Sequence, residues 1–223
     1  IGIDQILDLN NDGTLEAVAI TYSLSGNRFH GKTIKFSSTN IALMNDVTEG
    51  MTFLNDQPYT KEIRKITQGD LNSDGITDVV FFDYGEHDGS LHDGQVVALL
   101  STNGSYVWEE LSVPQNLRIH TGTLLDIDND GDLDIVYGAV GSGRSTMFAF
   151  RNDNGHFAQI KVALPSRIVG KPWVSFNSND IDGDGYHDII VELIAKQKEN
   201  FGLQILWGSN RGIFKNNDVT QLN

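Results

Sequence analysis

Four short runs of β-branched and aromatic residues punctuate the chain: Ala17-Val18-Ala19-Ile20, Val79-Val80-Phe81-Phe82, Ile135-Val136-Tyr137 and Ile189-Ile190-Val191. Such runs favour strands. Each follows the same polar segment, Asp-x-Asx-x-Asp-Gly-x-x-acid, beginning at Asp8, Asp70, Asp126 and Asp180. The starts lie 62, 56 and 54 residues apart, too long a period for ankyrin, tetratricopeptide or leucine-rich repeats. Each period reads as four strands. In the third, strand A is expected at Ile119–Leu125, strand B at Asp134–Val140, strand C at Thr146–Arg151 and strand D at Phe157–Leu164.

The turn from C to D, Asn152-Asp153-Asn154-Gly155, recurs in related form as Thr102-Asn103-Gly104-Ser105-Tyr106 and Ser209-Asn210-Arg211-Gly212-Ile213-Phe214. In each, glycine can supply a positive φ and an aromatic soon after it starts the outer strand. The first repeat is longer, with room for a helical turn in Ile41–Glu49 before Gly50-Met51-Thr52-Phe53. A four-stranded antiparallel unit repeated radially is a propeller blade. The expectation is therefore an all-β propeller of four-stranded blades, with the four in this chain near 1–57, 58–114, 115–166 and 167–223.

The polar segments carry the chemistry. Oxygen-bearing side chains at loop positions 1, 3, 5 and 9, with glycine at 6 for a sharp turn, suit a hard cation that takes six to eight oxygens, and calcium loops add a ligand at position 7. The candidate ligands are Asp8, Asn10, Asp12, Thr14 and Glu16 in the first loop and Asp70, Asn72, Asp74, Ile76 and Asp78 in the second. They are Asp126, Asp128, Asp130, Asp132 and Asp134 in the third, and Asp180, Asp182, Asp184, Tyr186 and Asp188 in the fourth. An EF-hand loop would close with an acid at position 12 and continue into a helix. Position 12 here is Ala19, Phe81, Tyr137 and Val191, so the acid at position 9 closes the loop from the start of a strand. An Asp-Gly pair alone marks only a turn, but four copies in register imply about four Ca²⁺ sites.

Acidic residues number 30 against 16 basic, a formal charge of −14. That excess argues against nucleic acid and anionic membrane as partners. Fourteen of the acids stand at positions 1, 3, 5 and 9 of the loops, so four bound calcium ions would leave about −6. Without metal, carboxylates roughly 4 Å apart repel by a few kcal/mol per pair at an effective dielectric of about 20. A strained or partly open metal-free form is expected. At 223 residues the chain can bury a large β core. No apolar run approaches the roughly 18 residues of a membrane span, so no insertion is expected. The absent initiator Met suggests a mature or excised piece. There is no cysteine, which excludes disulfides and thiol chemistry. Extracellular calcium modules bind at roughly 10⁻⁴–10⁻³ M, which points to secretion or surface display, or to a periplasmic setting.

The loops, the strand after each and the Asn-Gly-x-aromatic turn resemble the FG-GAP or VCBS repeats of integrin-α-like β-propellers, over essentially the whole chain. A clear Phe-Gly…Gly-Ala-Pro segment is missing, and Tyr137-Gly138-Ala139 is its nearest trace, so the looser VCBS type is the better match. The resemblance implies that the calcium loops line one face, with a ligand-binding face opposite. That face would be built from Ser23–Lys32, Tyr84–Gly94, Gly141–Ser145 and Ala195–Phe201, with Asn55–Thr60, Pro114–Arg118 and Pro165–Pro172.

Other candidates are weaker. His87 and His92 share a polar stretch with three acids, but a metal or catalytic site would need a third converging group. Gly141-Ser142-Gly143-Arg144-Ser145-Thr146 lacks the Gly-Lys-Ser/Thr ending of a phosphate loop and joins two strands. His187 occupies a non-ligating loop position and is expected to be exposed. Trp108, Trp173 and Trp207 fit blade packing better than sugar stacking. No Gly-x-Ser-x-Gly elbow or His-Glu-x-x-His helix is present, and no catalytic residue or organic cofactor is singled out. The expected function is a calcium-stabilised, non-catalytic scaffold for protein binding, adhesion or assembly. The alternatives are a carbohydrate-binding propeller, or the propeller part of a polysaccharide lyase or hydrolase. A chain beginning in strand A and ending in strand D is expected to be completed by further blades or to self-associate.

Overall fold

The computed structural model describes residues 2–7, 16–25, 28–38, 54, 63–85, 93–141, 144–164, 168, 170, 173–193, 202–210 and 219–222. Every described element is a β-strand, and the chain divides into two compact units, Ile1–Ser112 and Val113–Asn223.

The first unit holds a sheet of β1 (Gly2–Leu7), β2 (Glu16–Ser25) and β3 (Arg28–Ser38), and a second of β4 (Ile63–Gly69), β5 (Asp78–Asp83), β6 (Gln95–Thr102) and β7 (Ser105–Leu111). The second unit holds β8 (Arg118–Leu125), β9 (Asp134–Gly141), β10 (Arg144–Asp153) and β11 (His156–Lys161), then β12 (Trp173–Asn179), β13 (Asp188–Leu193), β14 (Leu203–Leu206) and β15 (Val219–Leu222). In every sheet each strand pairs antiparallel with the next in sequence. A fourth strand for the first repeat and the helical turn expected at Ile41–Glu49 lie outside the described residues.

The turns explain the meander. Asn103 and Gly104 have φ of 48° and 78°, and Asn154 and Gly155 have 50° and 88°. Two successive positive φ values make the type I′ hairpin whose twist matches its flanking strands. In the fourth repeat Leu206 at the end of β14 pairs with Val219 at the start of β15, and the turn expected at Ser209–Phe214 lies, beyond residue 210, outside the described residues. The 141–144 segment joins two strands as expected, with Arg144 opposite Gly141.

The first strand of every sheet carries a bulge, six residues before the loop in the second, third and fourth sheets and four before it in the first. Asp4, Arg64, His120 and Val174 are each the extra residue opposite the second strand. A bulge increases the local twist and bends the strand.

In the second and third sheets the second strand is the most buried element. Val79, Val80, Phe81 and Phe82 are fully buried, as are Ile135, Val136 and Tyr137. Trp108 is buried with its ring 5.6 Å from that of Phe81, so this tryptophan belongs to the core. Tyr137 stacks between Phe148 and Phe150 at 5.5 and 5.4 Å and accepts a hydrogen bond from Gln159 Nε2.

Within the second unit the two sheets meet through their first strands. Leu125, Val136, Met147, Phe176, Ile189 and Leu206 belong to one shared core. Phe176 reaches β9 because residue 138 is glycine: a Cβ there would lie 2.7 Å from Phe176 Cε1. Polar groups between β8 and β12 are paired, as buried polar groups must be. Phe176 N donates to Thr121 Oγ1 at 3.1 Å, and Ser178 Oγ to the Leu124 carbonyl at 2.6 Å.

Candidate metal centres

The first loop lies outside the described residues apart from Glu16, which begins β2. The other three loops connect the first strand of a sheet to the second, and they share one backbone design. Position 4 is left-handed in each, with φ of 58° at Ser73, 61° at Asn129 and 78° at Gly183. Position 6 is the expected glycine, with φ of 83°, 100° and 91° at Gly75, Gly131 and Gly185.

The acid at position 1 ties down the middle of its own loop. Asp70 Oδ2 accepts the Gly75 N–H at 2.9 Å, and Asp126 and Asp180 accept those of Gly131 and Gly185 at 3.0 Å. The N–H of position 5 reaches the other oxygen at 3.2 Å in all three. The acid at position 5 accepts from position 7, as Asp74 does from Ile76, Asp130 from Asp132 and Asp184 from Tyr186.

The acid at position 9 is a buried staple. One oxygen of Asp78, Asp134 and Asp188 accepts the N–H of position 2, from Leu71, Ile127 and Ile181, at 2.7, 2.7 and 2.8 Å. The other accepts a 2.7 Å bond from the end of the third strand or just beyond it: Ser101, Asn152 or Gly208. Each loop is thus fastened to the third strand of its sheet as well as to the second.

Sequence reasoning missed Ser101, Asn152 and Gly208 as partners. Their signal is slight: each stands two residues before the asparagine of the turn region at Asn103, Asn154 and Asn210. Glycine is required at 208, because a Cβ would lie 2.3 Å from the His187 carbonyl oxygen. His187 is half-buried against it rather than exposed.

The side chains divide the loops. In the third, carboxylate oxygens of Asp126, Asp128 and Asp130 lie within 4.8 Å of one another, and in the fourth those of Asp180, Asp182 and Asp188 do so. Asp134 and Asp184 fall outside these trios, and the Asp132 carboxylate accepts the Asn154 N–H of the neighbouring turn at 2.8 Å. In the second loop neutral Asn72 donates to the Ser101 carbonyl at 2.5 Å, and the single Ser101 O–H is shared between Asp74 at 2.8 Å and Asp78 at 3.0 Å.

The electrostatics follow. Burial pushes the Asp134 carboxyl up to about 7 against two backbone hydrogen bonds that favour its charge, and Asp128 and Asp130 add to the rise. Burial and then Asp130 raise Asp128, which Arg151, 3.8 Å away, opposes. Burial likewise raises Asp78 despite its three hydrogen bonds from Ser101 and Leu71. Carboxylate trios without histidine or sulfur suit a hard, oxygen-seeking divalent cation. Such a cation would favour the charged form of every one of these groups.

The FG-GAP-like repeat family matches residues 70–137 and 126–191. The two matches together span more than half of the chain and contain the second, third and fourth loops. The chain belongs to the FG-GAP-like repeat family. No curated protein matches it.

Of the remaining candidates, His87 and His92 lie outside the described residues, as do the side chain of Trp173, most of the Tyr84–Gly94 stretch and all of Ala195–Phe201. Among the described residues no helix is long and apolar enough to cross a membrane.

Proposed function

We propose that the chain is a calcium-stabilised β-propeller, or a segment of one, acting outside the cytoplasm as a non-catalytic scaffold for protein binding, adhesion or assembly. The observation that carries this reading is the pair of carboxylate trios, Asp126/Asp128/Asp130 and Asp180/Asp182/Asp188, at equivalent loops of adjacent sheets. Bound Ca²⁺ supplies charge neutralisation and holds several carboxylate oxygens in one arrangement. The protein's own groups do the rest: the position 1 acids shape the loop, and the position 9 acids fasten it to two strands. Radial stacking is supported by β8 packing against β12 and by the recurrent bulge in each first strand. About four ions and extracellular placement follow from the family and from four copies of the motif.

A ligand-binding face opposite the loops is supported by one cavity. It has a volume of about 390 Å³ and is lined by Ser145, Thr146, Lys161, Val162, Ala163 and Leu164, at the ends of β10 and β11 remote from the third loop. Hydroxyl and ammonium groups beside an apolar wall also favour a second reading, an anionic sugar as ligand.

Calorimetric melting with calcium and with excess EDTA tests the first reading. Each site at a hundredfold excess of ion over its dissociation constant contributes about 2.7 kcal/mol, so chelation should lower the melting temperature by many degrees. An unchanged melt, with metal removal confirmed by elemental analysis, would contradict it. Binding screens against protein ligands and charged glycans, with and without calcium, separate the two partner classes.

A further inference from the structure

Asn129 occupies position 4 of the third loop, a position for which the motif specifies no ligand. Its φ of 61° turns the chain between Asp128 and Asp130. Its amide leaves its own sheet: Nδ2 donates to the Ser209 carbonyl at 3.0 Å. The residue before that carbonyl, Gly208, donates its N–H to Asp188 Oδ1 at 2.7 Å, and Asp188 belongs to the fourth loop's trio. Asp126 and Asn129 face Tyr186, His187 and Gly208 across a crevice of only about 10 Å³. The Gly208 and His187 backbones pack so closely that a Cβ on Gly208 would lie 2.3 Å from the His187 carbonyl oxygen.

We infer that Asn129 is a positioning residue that couples the third and fourth metal sites, so that filling one makes filling the other easier. The inference rests on the calcium reading above. An ion at the fourth site fixes Asp188, which fixes Gly208 and with it the Ser209 carbonyl. That carbonyl then holds the Asn129 amide, and the backbone carrying Asp128 and Asp130 is ordered before the second ion arrives. Ordering already made by the first ligand need not be repeated for the second, and this is positive cooperativity. Linkage makes the effect equal in both directions. The fourth loop has Gly183 at the same position and cannot form such a link from its own side chain.

Calorimetric calcium titration of the full chain tests the coupling, in a background of Asp12→Asn and Asp74→Asn that weakens the first two loops. The two remaining sites should fill with a coupling factor of roughly five or more, the lower end of typical coupling between sites. Asn129→Gly keeps the left-handed turn and deletes the amide. It should make the sites independent while leaving the affinity of the third site, measured alone in an added Asp182→Asn variant, unchanged. Coupling that survives Asn129→Gly, or independent sites in the background protein, would overturn the inference. Absence of calcium binding at both sites would overturn the calcium reading itself, and the coupling with it.

Discussion

The second loop and the fourth have the same backbone and the same staple, and they differ in what surrounds their carboxylates. In the second, Asn72 and the Ser101 hydroxyl give the loop its own donors: Asn72 bonds the Ser101 carbonyl, and Ser101 bonds Asp74 and Asp78. In the fourth, position 3 is Asp182, the third-strand partner is a glycine without a hydroxyl, and three carboxylates share one space. One loop pairs part of its carboxylate set with donors of its own, whereas the other brings three carboxylates together where a cation could sit. The third resembles the fourth, tempered by Arg151 beside Asp128. Identical turn geometry is therefore not expected to give identical metal dependence, and the residue at position 3 together with its third-strand neighbour is expected to set the difference.

The largest effect is expected from removing the staple. Asp78→Ala strands the buried N–H groups of Leu71 and Ser101, at roughly 1–3 kcal/mol each. Its cost should depend less on calcium than that of Asp188→Ala, because Asn72 leaves the second loop one carboxylate short of the fourth. Asp188→Ala strands Ile181 and Gly208 and also removes a member of the carboxylate trio. It should cost more in calcium than in EDTA, by up to about 2.7 kcal/mol at a hundredfold excess of ion. Urea denaturation of both variants in both conditions measures this, and equal calcium dependence would break the comparison.

A smaller effect is expected from pH. Asp134 moves from an ordinary 3.8 to about 7 on folding. A raised acid pKa means that the folded state holds its proton more tightly than the unfolded chain does, so stability falls as pH rises between the two values. The metal-free protein should lose stability from about pH 4 to pH 7 as this group ionises. With calcium the ionised form is the one held, and the decline should vanish or reverse. Thermal melts across that range, in EDTA and in calcium, read the sign directly.

The smallest effect sharpens the rule for position 3. Asn72→Asp converts the second loop toward the charge of the fourth and deletes the bond to the Ser101 carbonyl. Calcium affinity at that loop should rise, since ligand charge is one lever on it. Stability in EDTA should fall by roughly 1 kcal/mol, the net worth of a typical hydrogen bond. Calorimetry on the variant measures both. A loss of affinity would show that the Asn72 bond matters more than the charge.

Much of this was legible along the chain because it is local. The acid that ends each motif does begin the second strand at Asp78, Asp134 and Asp188, and the Asn-Gly turns at Asn103 and Asn154 are where positive φ places them. What escaped comes from pairing between strands. The partners Ser101, Asn152 and Gly208 are set by the register of the second strand on the third, across sequence distances that differ in every copy. The bulges at Arg64, His120 and Val174 carry no glycine or proline to announce them. The left-handed position 4 was masked because three residue types, Ser73, Asn129 and Gly183, fill it.

Hydrogen exchange of the backbone amides, followed in calcium and after chelation, addresses the contrast between loops most directly. Chelation should strip protection from residues 126–134 and 180–188, while residues 70–78, closed by Asn72 and Ser101, keep most of theirs. Equal loss in all three loops, or no loss in the later two, would contradict the division between the loop with donors of its own and the loops that gather three carboxylates.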